Sequence, residues 1–295
     1  MVSKLFNVRC DNCGAEYRIN SRGEMNCPFC GSKVYLNDND WEEYQKARDE
    51  MLVKDKMEND IVNADGDILH KWNNELSTFI EASNGKSINI HYFYEFNRHN
   101  QTVYVGSRRV AIIYNNESTA QRAITNVERL QYPSADIKGL STFFPTVNLT
   151  TTLKDGRYLV VLEKAENVYP LAIFNPLDAK NTAWMVSRLE NFGCLFEFNG
   201  VGMPIELEDV YINPKTHYVY LFGGWENMTD TNTRQYLNSI RTVMKDKTKL
   251  GTAPKQCIDF FDSNPADNAY TDFDNWDTVL ETGFNGHIFH HFTED

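Results

Sequence analysis

Three features of the sequence predict an α+β protein of two or three structural units. Two short cysteine pairs stand near the N-terminus, the patterning changes from helical to strand-like at about residue 87, and a long apolar helical pattern runs from about Ala179 to Phe198. The boundaries that follow are 1–37 for a small cysteine-bearing unit and 38–86 for a helical connector. Residues 87–165 then form a part built mainly of strands with one helix, and 166–295 a mainly helical part.

The chain has 295 residues, of which 41% are hydrophobic and 13% aromatic, enough to build a core and to exclude disorder. No run reaches the roughly 18 apolar residues that a membrane-spanning helix needs. The first residues lack the apolar stretch of a signal peptide, so a cytoplasmic protein without membrane contact is expected. Asn148–Thr150 therefore carries no glycosylation message.

Residues 1–37 hold five Lys/Arg (Lys4, Arg9, Arg18, Arg22, Lys33) and three acids (Asp11, Glu16, Glu24), a net charge of +2. With −12 on the whole chain, −14 remains on the rest. An acidic body repels phosphate backbones, so any nucleic-acid contact is expected only through the first unit.

The cysteines of that unit read Cys10-Asp-Asn-Cys13-Gly and Cys27-Pro-Phe-Cys30-Gly, with thirteen residues between the pairs. Each Cys-x-x-Cys-Gly turns tightly and aims two thiolates at one ion. Cys10, Cys13, Cys27 and Cys30 are therefore read as the ligands of a structural Zn2+ in a zinc ribbon, with 17–19 and 33–36 as strands around it. A closed set of four protein ligands leaves no position for a substrate. Two disulfides or a redox pair are the rival readings, disfavoured by the doubled spacing and a reducing compartment. Cys194 and Cys257 stand alone in apolar surroundings and read as buried structural thiols.

After the ribbon, Trp41, Tyr44, Ala47 and Met51 fall at helical spacing, with Asp38 or Asp40 as cap. Ile68, Leu69, Trp72, Leu76, Phe79 and Ile80 predict a second amphipathic helix, ended by Ser83-Asn84-Gly85 and packed on the core. Strands are predicted at 88–96, 102–105 and 109–114, the last two joined at Gly106-Ser107. A helix follows from Glu117 to about Leu130, aligning Ala120, Ile124, Val127 and Leu130. Residues 158–162 read as a buried strand, and 163–167 show no period. In the long helix Leu189, Phe192 and Phe196 share one side, with Arg188 off that stripe. Residues 210–212 and 218–221 predict a hairpin across 213–217. Trp276, Val279, Leu280 and Phe284 align on a C-terminal helix.

The order of three strands, a helix, a strand, a long helix and a hairpin resembles the two-lobed fold of protein kinases, with 87–165 as the N-lobe and 166–295 as the C-lobe. The stretch from Asn199 through Asp209 to Gly223-Gly224-Trp225 is similar to a kinase catalytic loop with its strand pair and metal-binding tripeptide. The resemblance implies particular chemistry at particular places. The first strand turn, Phe96 to Gln101, contains no glycine to cover phosphates. Val110-Ala111-Ile112-Ile113 puts Ile113 where the phosphate lysine belongs, which leaves Glu128, at the matching helix position, without a lysine to pair with. Gly202, Met203 and Pro204 stand in for the His-Arg-Asp motif, so the catalytic base is a proline. Asp209 holds the place of the catalytic-loop asparagine, and Gly223-Gly224-Trp225 replaces the magnesium-binding tripeptide.

The reading is a degenerate kinase-like (pseudokinase) domain behind a zinc ribbon, not an enzyme, acting as a protein-binding scaffold or regulator, with ATP binding not expected. One rival is an enzyme that reuses the cleft, with Glu206, Glu208 and Asp209 as metal ligands instead of a solvated loop face. The other is a nucleic-acid adaptor working through the ribbon. His287, His290 and His291 read as a frayed tail.

Overall fold

The computed structural model describes residues 7–9, 12, 16–18, 23–27, 30–36, 75–98, 101–214, 216, 218–231 and 233–284. Two units divide the chain, Met1–Asp60 and Ile61–Asp295.

The first unit holds two antiparallel hairpins. Strand β1 (Asn7–Arg9) pairs with β2 (Glu16–Arg18), and β3 (Gly23–Asn26) with β4 (Lys33–Leu36). Each Cys-x-x-Cys stretch falls in the connection of one hairpin. The second connection closes with Cys27 N–H to Ser32 O (2.8 Å) and Gly31 N–H to Cys27 O (2.9 Å). Gly31 turns with φ of +72°, a conformation glycine adopts without a Cβ penalty. Cys10 and Cys13 lie outside the described residues, as does the helix expected around Trp41–Met51.

In the second unit, the part of the expected helix through Leu76, Phe79 and Ile80 is instead a strand, and Ile68, Leu69 and Trp72 lie outside the described residues. β5 (Leu76–Glu81) pairs with β6 (Ser87–Tyr92) across the turn at 82–86. The 3- and 4-residue spacings of Leu76, Phe79 and Ile80 mimic a helix. Burial alternates, with Thr78 and Ile80 partly covered while Ser77 and Phe79 are exposed, as in a strand with one covered face. The single strand expected at 88–96 is two: the chain breaks at Phe93, and β7 (Tyr94–Arg98) begins a different sheet.

That sheet has five antiparallel strands in the order β10-β11-β9-β8-β7. Its members are β8 (Gln101–Val105), β9 (Arg109–Tyr114), β10 (Val147–Thr152) and β11 (Tyr158–Glu163) besides β7. One face carries Ala111, Ile113 and Leu159 against Ile90 and Tyr92 of the β5–β6 hairpin. The other carries Val103, Val110, Ile112, Tyr114, Val160 and Leu162 into the main core. Gly106 makes the crossing from β6 possible, because a Cβ there would stand 2.7 Å from His91 O. Helix α1 (Glu117–Glu128) covers the core face. Asn116 caps it by accepting from Thr119 N–H at 2.9 Å.

The segment after β11 is pinned by Lys164, whose buried Nζ donates to the carbonyls of Ser107, Ala165 and Val168 at 2.8, 3.1 and 2.8 Å. Burial pushes its pKa down to about 7. β12 (Tyr169–Pro170) joins β13 (Val210–Asn213) and β14 (Tyr218–Leu221) in a small antiparallel sheet.

Helix α2 (Ala179–Phe198) is the axis of the helical part. Asp178 caps it through Asn181 N–H (2.9 Å). Its burial extends well beyond one stripe, taking in Leu189, Phe192 and Phe196 together with Thr182, Trp184 and Val186. Arg188, expected off the packed stripe, is half-buried too, and burial lowers its pKa to about 10. An all-round apolar helix of this kind belongs inside a domain. Helices α3 (Arg234–Lys247), α4 (Lys255–Asp262) and α5 (Ala269–Gly283) complete this part. Trp276 on α5 donates Nε1–H to Ser187 Oγ at 2.9 Å, and Arg241 forks onto Asp272 at 2.7 and 2.8 Å. Among the described residues no helix is long and apolar enough to cross a membrane.

Candidate functional site

The tip of the β7–β8 hairpin turns two polar side chains inward. Along β7 the side chains of Tyr94, Phe96 and Arg98 share the covered face, so the guanidinium follows two aromatics into the interior. Arg98 is 6% exposed and Gln101, its cross-strand partner, 7%. Arg98 Nε donates to Glu206 Oε2 at 3.1 Å, and Nη1 donates to Asp209 Oδ1. Asp209 ends the 3-10 turn Leu207–Asp209, where its Oδ2 also accepts Glu206 N–H at 2.7 Å. Gln101 Nε2 donates to Glu226 Oε1 at 2.8 Å.

Electrostatics agree with this packing. Burial pushes the Asp209 carboxyl up to about 7, with Arg98 pulling the other way. Burial alone lowers the Arg98 pKa, but Asp209, Glu226 and Glu206 more than reverse it, so the guanidinium stays charged. Tyr114 is held well above the ordinary tyrosine value by burial and then by Glu226.

Gly223 is fixed by this pair. A Cβ there would stand 2.0 Å from Asp209 Oδ1 and 2.9 Å from Arg98 Nη1. No side chain, an aspartate included, fits at 223 while Arg98 and Asp209 are joined. Gly224 follows with φ of +85°. Asn126 of α1 then ties the segment down, donating Nδ2–H to Trp225 O at 2.8 Å.

The sequence-expected positions fall out as follows. Asp209 and Pro204 are at the site: Asp209 is buried and Pro204 lines its cleft. Gly202 bridges to Thr229, and Met203 is buried. Ile113 is not at the site. It lies on the opposite face of the sheet beneath the β5–β6 hairpin, and the β9 side chains that face α1 are Val110, Ile112 and Tyr114. Tyr114 is buried, and Arg98 and Asp209 both act on its hydroxyl. Glu128 is likewise displaced: it is exposed at the end of α1, while Thr119, Arg122 and Asn126 are the α1 residues turned to the site. The acidic trio is divided, since Glu206 and Asp209 hold Arg98 but Glu208 does not; Glu226 joins them instead. Among the described residues no group of three or more His, Cys, Asp and Glu is arranged to hold a metal.

Cys194 is half-buried and Cys257 buried, and burial pushes both thiols up to about 12, which suits inert thiols. In the first unit, Asn12, which lies between Cys10 and Cys13, donates Nδ2–H to Cys30 Sγ at 3.8 Å and to Ser32 Oγ at 2.9 Å. Those contacts bring Asn12 to the second cysteine stretch. His287, His290 and His291 lie outside the described residues.

Two cavities lie along α1. One is a polar cleft of about 460 Å³ between the β7–β8 tip, α1 and the turn Trp225–Asn227. The other, about 420 Å³, is apolar and lies behind α1, between Ile124, Val127, Phe144, Leu162 and Trp225.

No protein-family description matches the chain, and no curated protein does either. Among solved structures, WbdD is similar at 12% identity and a TM-score of 0.45 over 66% of this chain and 47% of that one. The chain thus spans about half the length of WbdD. Vaccinia related kinase 3 is similar at 9% identity and a TM-score of 0.49, over 72% of this chain and 92% of that one. The Cydia pomonella granulovirus kinase PK-1 follows at 8% identity and 0.38, over 55% and 71%. Likeness at this level says nothing of activity, substrate or partner.

Proposed function

We propose that residues 87–295 are a degenerate, two-lobed kinase-like domain that does not transfer phosphate, joined to a structural zinc ribbon, and that the protein works by binding a protein partner. The observation that carries this reading is the buried Arg98–Asp209 pair. In a kinase the glycine-rich turn lies over the phosphates, and the loop asparagine and the metal-binding aspartate hold magnesium. Here the turn sends its own guanidinium onto the loop carboxylate. The packed pair leaves no room for a side chain at 223. Pro204 has no atom to accept a proton, and Tyr114 and Ile112, the β9 residues facing the site, carry no cation for phosphate. What remains is a rigid surface without the groups that stabilise a transferring phosphoryl.

Differential melting tests this. ATP with magnesium at a hundred times its dissociation constant stabilises a binding protein by about 2.7 kcal/mol. This protein is expected to show no such rise, and no phosphate incorporation into itself. Magnesium-dependent autophosphorylation lost in Asp209→Ala would overturn the reading.

The zinc assignment is supported by the doubled spacing together with Asn12, whose amide donor suits a thiolate acceptor at Cys30. Cys10, Cys13, Cys27 and Cys30 would hold the ion, whose role is to fold the unit. Protein purified without chelator is expected to carry one zinc per chain. Cys27→Ser should lose it and unfold the first unit, while Ile61–Asp295 keeps its own cooperative transition. Metal-free protein with an intact first unit would remove the assignment.

A further inference from the structure

We propose that the helical part of the second unit is locked by a buried proton: Glu190 on α2 is a carboxylic acid whose hydroxyl donates to the Asp272 carboxylate on α5, and losing that proton loosens α2 from α5.

Glu190 is 0% exposed near the middle of α2. Neither of its carboxyl oxygens receives a hydrogen bond among the described residues. The cation beside it is Arg241 on α3, whose Nη1 stands 3.9 Å from Glu190 Oε1, beyond hydrogen-bond reach. That guanidinium is committed elsewhere. It forks onto Asp272 at 2.7 and 2.8 Å and lies 4.1 Å from the centre of the Phe260 ring on α4. Asp272, also 0% exposed, takes a further donor from Ala266 N–H at 2.8 Å.

Two buried carboxyls thus meet one guanidinium, and the fork already balances the first. An ionised Glu190 would seal a net negative charge into the core, which is costly. Glu190 also lies within hydrogen-bond reach of Asp272, and two carboxyl groups in contact need a proton between them. Burial first, and then Asp272, hold the Glu190 pKa well above the ordinary carboxylate range, with Arg241 pulling the other way.

The groups further out do not supply the missing cation. On α2, Arg188 acts with Tyr218, Cys194 is a thiol, and Glu197 accepts from Thr233 and Ala269 N–H. On α3, Tyr236 donates its hydroxyl to Leu189 O at 2.8 Å, while Lys245 and Lys247 go to Asp262 and the Phe174 carbonyl. Asp274 on α5 is exposed, and Lys255 and Asp259 of α4 pair with each other at the surface.

A proton held in the folded chain and released in the unfolded one makes stability fall as pH rises. The fall begins near the ordinary glutamate value of about 4.3 and ends at the raised folded value. Beyond that point two carboxylates face one guanidinium.

Glu190→Gln keeps the shape and the donor of the acid and has no proton to lose. Urea denaturation of both full-length chains from mild acid to mild alkali, following the second unit, tests the proposal. The parent's unfolding constant should rise against the variant's by about tenfold per pH unit until Glu190 ionises. Glu190→Gln is then the more stable chain at neutral pH. Asp209 titrates in both chains and cancels. Infrared difference spectra at neutral pH should show the carbonyl band of a protonated carboxyl in the parent that the variant lacks. At alkaline pH, amides of α2 and α5 should exchange hydrogen faster in the parent than in the variant. A ratio of unfolding constants that ignores pH overturns the proposal, as does a variant less stable than the parent or unfolded at neutral pH. A parent without the band overturns it too, and equal exchange in the two chains overturns the loosening of α2 from α5.

Discussion

Phe192→Ala is expected to destabilise the second unit by about 3–5 kcal/mol, the usual cost of emptying a buried phenylalanine site. Phe192 is 2% exposed at the middle of α2. Its ring lies 5.1 Å from that of Phe144 and 6.3 Å from that of Phe143, both on the segment leading into β10. Removing it empties a space shared by the helix and that segment, and neither backbone can collapse freely into it. Set against a total of roughly 5–15 kcal/mol, the loss is large. Lys180, exposed on the first turn of the same helix, is the matched control, and Lys180→Ala should stay within about 0.5 kcal/mol of the parent. Arg188 does not serve as that control, because it is half-buried. Urea denaturation followed by circular dichroism measures both variants. Equal midpoints for the two would remove α2 from the core.

Arg98→Met should cost a similar amount, about 3–5 kcal/mol, for a different reason. The loss is not the attraction between two charges as such, because pairing in the interior roughly offsets the desolvation of both ions. It arises because Asp209, 1% exposed, is left without its counter-charge, and because Glu206 loses the Nε donor as well. Asp209 keeps Glu206 N–H as a donor, which moderates the penalty. Protonation of the abandoned carboxyl moderates it further. The variant should therefore be less destabilised in mild acid than at neutral pH, because burial has already raised the Asp209 pKa and removing Arg98 raises it more. Urea midpoints at the two pH values measure this. A loss that is the same at both would argue against a lone buried carboxylate.

The long helix was legible in the sequence down to its ends: Asp178 supplies an N-cap, Asn199-Gly200 a stop, and apolar residues fill the turns between. The hairpin of β13 and β14 and the helix after β9 were legible for the same kind of reason. β10 was not, because Val147-Asn-Leu-Thr-Thr-Thr152 is half threonine and lies at a sheet edge, where burial does not impose alternation. The face of β9 was not legible either. Val110-Ala-Ile-Ile-Tyr114 is apolar throughout since both its faces are covered, so period alone cannot choose between Ile113 and Tyr114. Ile113 faces the β5–β6 hairpin, and its neighbour Tyr114 faces the main core.

At the site, Asp209 and Pro204 were found from the loop, but Arg98 was not. The turn at 96–101 holds no glycine, and its informative signal is a charge in an apolar register. Tyr94, Phe96 and Arg98 alternate with Glu95 and Asn97, and a guanidinium on the inward face requires an acid to meet it. Glu226 carried no local signal at all, since only the packing of the turn Trp225–Asn227 against the β7–β8 tip brings it to Gln101.

The claim at the centre of this account is that the chain's own ion pair fills the place where a kinase holds phosphate and metal. A double-mutant cycle between Arg98→Met and Asp209→Asn, read by urea denaturation, tests it most directly. Contacting buried charges should couple in the upper part of the roughly 0.5–3 kcal/mol range, with the double variant more stable than the two single losses add to. Additivity within about 0.5 kcal/mol would mean that the two side chains do not meet, and the site would stand open.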